Sequence, residues 1–205
     1  MPERCEHGAE STLPYRLDRG LDLGVSKVAP ERALSFELRV LDHQPGEFVF
    51  SVWGNVLFFF WVAPATPKSI GRLAECTEPL YEQNPGGVSN VHVVDSSTGL
   101  PSPEVRELLI GLMRRRASRR ACLAVVPIGA GFWASTLRSF ATGIRLLAPR
   151  SFEMGIHTSL EEVADWLPGP HFERTGTRLD RNRLLDALRR TDALSHSEVA
   201  QPSRH

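Results

Sequence analysis

The sequence predicts a single layered α/β domain over residues 35–170, with a mixed sheet of four to six strands and about four helices. Three observations predict it. Short apolar segments, some with period two, recur from Ser35 onward. After Thr66 they alternate with segments whose apolar residues repeat at i, i+3 and i+4. Turn clusters and helix-capping residues separate the two kinds.

Phe36, Leu38 and Val40 alternate with Glu37 and Arg39, which is the pattern of a half-buried first strand. DHQPG at 42–46 reads as a turn. EFVFSVW at 47–53 is the second strand. Gly54 and Asn55 make a two-residue hairpin, because both residue types tolerate positive φ. The third strand, 55–62, is apolar on both faces, so it is expected to be central and covered from both sides. Thr66 then caps a helix with Pro67 at its first position. Ile70, Leu73, Ala74, Thr77, Leu80 and Tyr81 share one face of that helix. Pro79 disturbs its last turn, and NPGG at 84–87 ends it.

SNVHVVD at 89–95 is the next strand, followed by a loop over 96–101. Ser102 caps the second helix, Pro103 opens it, and Glu104 sits in its positive first turn. Val105, Leu108, Leu109, Leu112 and Met113 form its buried stripe. A strand over 121–128 leads to Gly129 and Gly131. From there a helix is expected to about residue 148, with Trp133, Leu137, Phe140, Ala141, Ile144 and Leu147 inward. A short strand over 152–157 precedes a helix over 158–167, where Ser159 and Glu162 have capping-box spacing. The later strands are expected to be parallel, joined by right-handed crossovers. Residues 1–34 read as a flexible extension. Residues 171–205 read as an Arg-rich tail with a short helix near 180–190, its apolar side Leu184, Leu185 and Leu188.

Composition narrows the function classes. The 205 residues are 41% hydrophobic and 23% charged, and Lys+Arg equals Asp+Glu at 24 each. No net field draws the chain to nucleic acid or a membrane surface. The longest apolar run, 56–65, is far short of the ~20 residues a spanning helix needs. The polar first ten residues lead into no signal-peptide core, so a cytoplasmic location is expected. Cys5, Cys76 and Cys122 are far apart and in no CxxC pair, and no HExxH is present. Neither a disulfide framework nor a metal site is expected. No cofactor is expected either.

Catalysis also lacks a constellation. His92 and Asp95 stand three apart on one strand, which puts their side chains on opposite faces, and no G-x-S-x-G elbow is present. The segment 129–134, GAGFWA, fits G-x-G-x-x-A between a strand and a helix. It supplies the alternative reading, a nucleotide-binding α/β protein using the Gly129–Gly131 turn. RRRASRR at 114–120 closes the second long helix, where positive charge complements the dipole, and is expected to be solvated.

The corner Asp95-Ser96-Ser97-Thr98-Gly99-Leu100 remains. A hydroxyl just ahead of a helix start sits near unpaired N–H groups and a positive dipole end. Phosphate there would bring about two negative charges. The same residues also suit an ordinary loop that satisfies its own amides.

The element order over 35–170 and this strand-end motif together resemble the STAS and STAS-like domains, the sulfate transporter and anti-sigma factor antagonist family. The resemblance implies a non-enzymatic regulatory or protein-interaction module. It also implies a protein partner, either a kinase or another regulator, and a phosphoacceptor at the second hydroxyl of the motif. Counted from Asp95 the acceptor is Ser97; counted from Gly99 it is Thr98. Asp95, Ser96, Gly99, Pro103 and Glu104 then form the partner-binding surface. The sequence carries one residue more than the family's motif, and its helix starts later, near Pro103.

Overall fold

Six strands lie side by side in the order in which they occur: β1 (Arg39–Gln44), β2 (Phe48–Trp53), β3 (Val56–Trp61), β4 (Val88–Asp95), β5 (Arg120–Ile128) and β6 (Glu153–Ile156). The first three form an antiparallel meander, and β3 to β6 are parallel. The computed structural model describes residues 34–129, 135, 136, 139, 142, 143 and 152–197. Residues 1–33 of the expected extension lie outside the described residues. So do Gly131, the inward residues of the helix expected to end near 148, and the segment beyond 197. Ser135, Thr136, Ser139, Thr142 and Gly143 are helical.

The central placement of β2 and β3 follows from their composition. Every residue of both strands is buried, so each needs a covering layer on both faces. The hairpin between them turns on Gly54, at φ 60. A Cβ there would lie 2.7 Å from the Phe36 ring, which packs edge-on against Trp53 at 4.8 Å. Glycine is therefore required twice, for conformation and for space.

One covering layer holds α1 (Pro67–Gln83) and α2 (Pro103–Arg115). Thr66 caps α1 reciprocally with Ser69, each side chain accepting the other's backbone N–H. Ile70, Leu73, Leu80, Tyr81, Val105 and Leu112 pack on Phe50, Leu57, Phe59 and Trp61. Pro79 lies inside α1 without ending it, and Asn84 closes the helix through its backbone N–H and Nδ2, both donating to the Leu80 carbonyl.

The other layer holds α3 (Leu160–Trp166), α4 (Pro168–Thr175) and α5 (Arg181–His196). Val163, Leu167, Leu184 and Leu188 are fully buried against Phe58, Phe60, Val91, Val93, Ala124 and Val126. At about 1.5–3 kcal/mol for each large side chain taken from water, this layer is a principal part of the core. Thr191 of α5 adds a buried hydrogen bond to Ser51 at 2.9 Å.

Three expectations are corrected. The core does not stop at residue 170: the segment expected to be a tail supplies α4 and α5, and Leu184, Leu185 and Leu188 face the chain's own sheet. The first strand runs over Arg39–Gln44, so Asp42, His43 and Gln44 are strand residues and the turn shrinks to its Pro45-Gly46 end. Asp42 and Gln44 are held there by Arg72 of α1. Val40, expected inward, is 48% exposed on this edge strand, and Leu108 leaves the α2 stripe at 40% exposed.

Candidate functional site

The corner after β4 forms as a short 3-10 turn over Ser96–Thr98, with the start of α2 displaced to Pro103. Asp95 caps the turn: its Oδ1 accepts from the Ser97 backbone N–H at 2.8 Å. The Ser97 hydroxyl lies 2.7 Å from Asp95 Oδ1 and 2.7 Å from the Val62 carbonyl. Its one proton is shared between two acceptors, and the side chain ties the loop after β3 to the end of β4. Ser96, Ser97 and Gly99 are exposed, and Gly99 has φ 62.

Thr98 differs. It is 5% exposed, and its hydroxyl donates inward to the Asp95 carbonyl at 2.8 Å. Ser102 caps α2 by accepting from the Val105 N–H, with Pro103 and Glu104 exposed in the first turn. The structure therefore brings Asp95, Ser96, Ser97 and Gly99 to one solvent-facing corner and turns Thr98 into the interior.

Gly129 follows β5 with φ 125. Its partner in the nucleotide motif, Gly131, is outside the described residues, so no phosphate-cradling turn is defined.

Beneath the corner lie residues to which the sequence assigned no binding role. β4 alternates: Ser89, Val91 and Val93 face α3–α5, whereas Asn90, His92 and Val94 face α1 and α2. Between that second face and the two helices is a cavity of about 140 Å³, and Thr98 and Gly99 of the corner line part of it. Most of its wall is apolar, including Trp61, Leu112, Val125 and Met154. The polar groups reaching it are Asn90, His92, Thr98, Arg116 and Arg120; no acidic residue lines it among the described residues.

Two arginines of the basic run are thus buried, against the expectation of a solvated face. Arg116 is 5% exposed, and every part of its guanidinium is engaged. Nε and Nη2 donate to Glu78 Oε2 at 3.1 and 2.6 Å, Nη1 to Thr77 Oγ1 at 2.6 Å, and Nη2 also to the Ala74 carbonyl at 2.9 Å. Arg120 is 4% exposed, yet its Nε and Nη1 are buried without a hydrogen-bond partner. Its guanidinium lies 5.1 Å from the centre of the Phe152 ring, a contact worth about 2 kcal/mol or more when desolvated. Leaving a buried cation without an anion costs several kcal/mol.

His92 completes the polar end. Its Nδ1 accepts from Trp61 Nε1 at 3.4 Å, so the neutral ring carries its proton on Nε2. Burial, helped by the nearby Arg120 charge, pushes its pKa down to about 3. Asn90 accepts from the Tyr81 hydroxyl at 2.9 Å through Oδ1, which leaves Nδ2 as its donor.

Across the sheet, His171 Nδ1 is 2.6 Å from Ser89 Oγ, which is 3.0 Å from Cys122 Sγ. This has the composition of a nucleophile and its base, but all three residues are fully buried, so no substrate reaches them. Burial pushes His171 down to about 4 and the Cys122 thiol up to about 12. The chain is a structural polar link between the sheet and α4.

One signal for the cavity was present in the sequence. An interior strand that reads polar at Asn90 and His92 marks a polar patch on one face of the sheet. No protein-family model matches the sequence, and no curated protein matches it.

Proposed function

We propose that the chain is a non-enzymatic regulatory, protein-interaction module of the STAS-like type, switched by phosphorylation of Ser97. The observation that carries this reading is the position of the Ser97 hydroxyl. It is exposed at the end of β4 and its proton bridges the Val62 carbonyl and the Asp95 carboxylate. Phosphate on Oγ removes that proton and brings about two negative charges beside two acceptor oxygens. The tie between the two loops is then lost, and Asp95 and the phosphate repel. Thr98, whose hydroxyl is buried, is left to position the turn.

The surface that changes is Asp95, Ser96, Ser97 and Gly99 with Pro103 and Glu104 beside it, and the ligand there is a protein. The test is to isolate the protein from its native cells, map phosphopeptides, and compare partners captured by wild type, Ser97→Ala and Ser97→Asp. The reading expects phosphate on Ser97 and a partner that discriminates between the two variants. An unmodified Ser97 together with identical partner sets defeats it.

A further inference from the structure

We propose that the cavity between β4–β5 and α1/α2 is a binding site for a small monocarboxylate with an apolar body, anchored by Arg120. The proposal does not rest on phosphorylation of Ser97, although Thr98 and Gly99 of that corner line part of the cavity.

The chemistry of the ligand follows from what the cavity offers. Arg120 lines the cavity and brings a full positive charge with no ion-pair partner among the described residues; its Nε and Nη1 are enclosed by protein and also lack a hydrogen-bond partner. His92 brings a neutral Nε2–H donor, because Trp61 occupies its Nδ1. Asn90 brings Nδ2, because Tyr81 occupies its Oδ1. These are donors, and the ligand group that answers them is a pure acceptor. Arg116 lines the same space, but Glu78 and Thr77 already engage it. The uncompensated charge is therefore one unit, and no acidic side chain among the described residues lines the cavity to cancel it.

A monoanion balances that charge. A phosphate dianion exceeds it and has no apolar part for the Trp61, Leu112 and Val125 walls. A carboxylate accepts a charge-assisted N–H···O bond from a guanidinium. The size sets the rest of the molecule. A cavity of about 150 Å³ holds a benzene ring, and the space here, which is partly open to solvent, is about 140 Å³. The body is then one ring or a chain of similar bulk, with its carboxylate toward Arg120.

The test uses the full chain. Benzoate and hexanoate are titrated by calorimetry and thermal shift beside their neutral counterparts, benzyl alcohol and hexan-1-ol, with inorganic phosphate as a third arm. At least one carboxylate is expected to bind at one site, about tenfold or more tighter than its alcohol, and to move the His92 and Trp61 ring resonances. Phosphate is expected to bind more weakly. In Arg120→Met the carboxylate's advantage over the alcohol is expected to vanish. Several results would overturn the assignment: no saturable signal from either carboxylate at roughly 10 mM, equal affinity for acid and alcohol, unmoved His92 and Trp61 resonances, or an advantage that survives in Arg120→Met. If that variant does not fold, the acid-to-alcohol ratio in the wild-type chain decides alone.

Discussion

Arg116 and Arg120 stand four residues apart in one basic run, and both are almost wholly buried. Their surroundings are opposite. Arg116 sits where α1 meets α2 and engages every guanidinium nitrogen with Thr77, Glu78 or the Ala74 carbonyl, with the Tyr81 ring 4.7 Å beneath it. Arg120 opens β5, with an aromatic ring on one side, the cavity on another and two silent nitrogens. Burial alone does not tell a structural cation from one that waits for a ligand. The account of its hydrogen bonds does.

The comparison breaks or sharpens under four measurements, in descending size. Arg116→Met is expected to lower the unfolding free energy by about 3 kcal/mol, because it removes the guanidinium's hydrogen bonds to Thr77, Ala74 and Glu78. Glu78 is 57% exposed and rehydrates, which keeps the loss at the lower end. Urea unfolding reads it, and a loss near zero would make Arg116 no more structural than Arg120.

Acid comes next. His92 and His171 have folded pKa values of about 3 and about 4, both below the unfolded value of about 6.5. Between those limits the unfolded chain binds more protons, so stability held at neutral pH is lost as the pH falls. Each histidine contributes about 1 kcal/mol per pH unit, so acidification from about 6.5 to 5.5 is expected to remove about 2 kcal/mol. A pH series of unfolding curves checks this. Between about 6.5 and 5.5 the descent in Arg120→Met should match that of the wild type, because protonation of the unfolded histidines sets it; at lower pH the His92 share should level off sooner, because one of the two causes holding His92 down is gone, while His171, across the sheet, keeps its share. A His92 share that levels off where it does in the wild type would show that the Arg120 charge does not reach His92.

The third measurement is the stability of Arg120→Met itself. Replacing an unpaired buried cation with an apolar chain of similar length is expected to be neutral or to stabilise by about 1 kcal/mol. A loss like that of Arg116→Met would mean Arg120 has partners of comparable strength. Ser97→Ala is the smallest change. It removes one exposed hydrogen-bonded tie and should cost about 0.5–1 kcal/mol, leaving the folded circular dichroism spectrum unaltered. A larger loss would make the corner a structural keystone rather than a surface free to be modified.

Much of the scaffold was readable because it rests on local rules. Apolar strands, the Thr66 and Ser102 caps and the Gly54 turn each declare themselves within a few residues. The corner after β4 was readable as a composition but not as an orientation. Ser97 and Thr98 are chemically alike, and only the turn decides which one faces water. The end of the core was misread for a related reason. Arg-rich α5 has a narrow apolar side, Leu184, Leu185 and Leu188, and its sequence does not show that a bare sheet face awaits it. The cavity was least legible. Tyr81, Asn90, His92 and Arg120 come from three elements, and pairwise distances in space have no trace in spacing along the chain. The alternation of Asn90 and His92 with valines was the one local clue.

The placement of α5 has a consequence for biosynthesis. A ribosome releases the six strands before it releases Leu184 and Leu188, so the face carrying Phe58, Phe60 and Val91 emerges without its lid. Premature termination anywhere between α4 and α5 would yield a nascent product with that greasy sheet surface bare, a natural client for chaperones and for degradation.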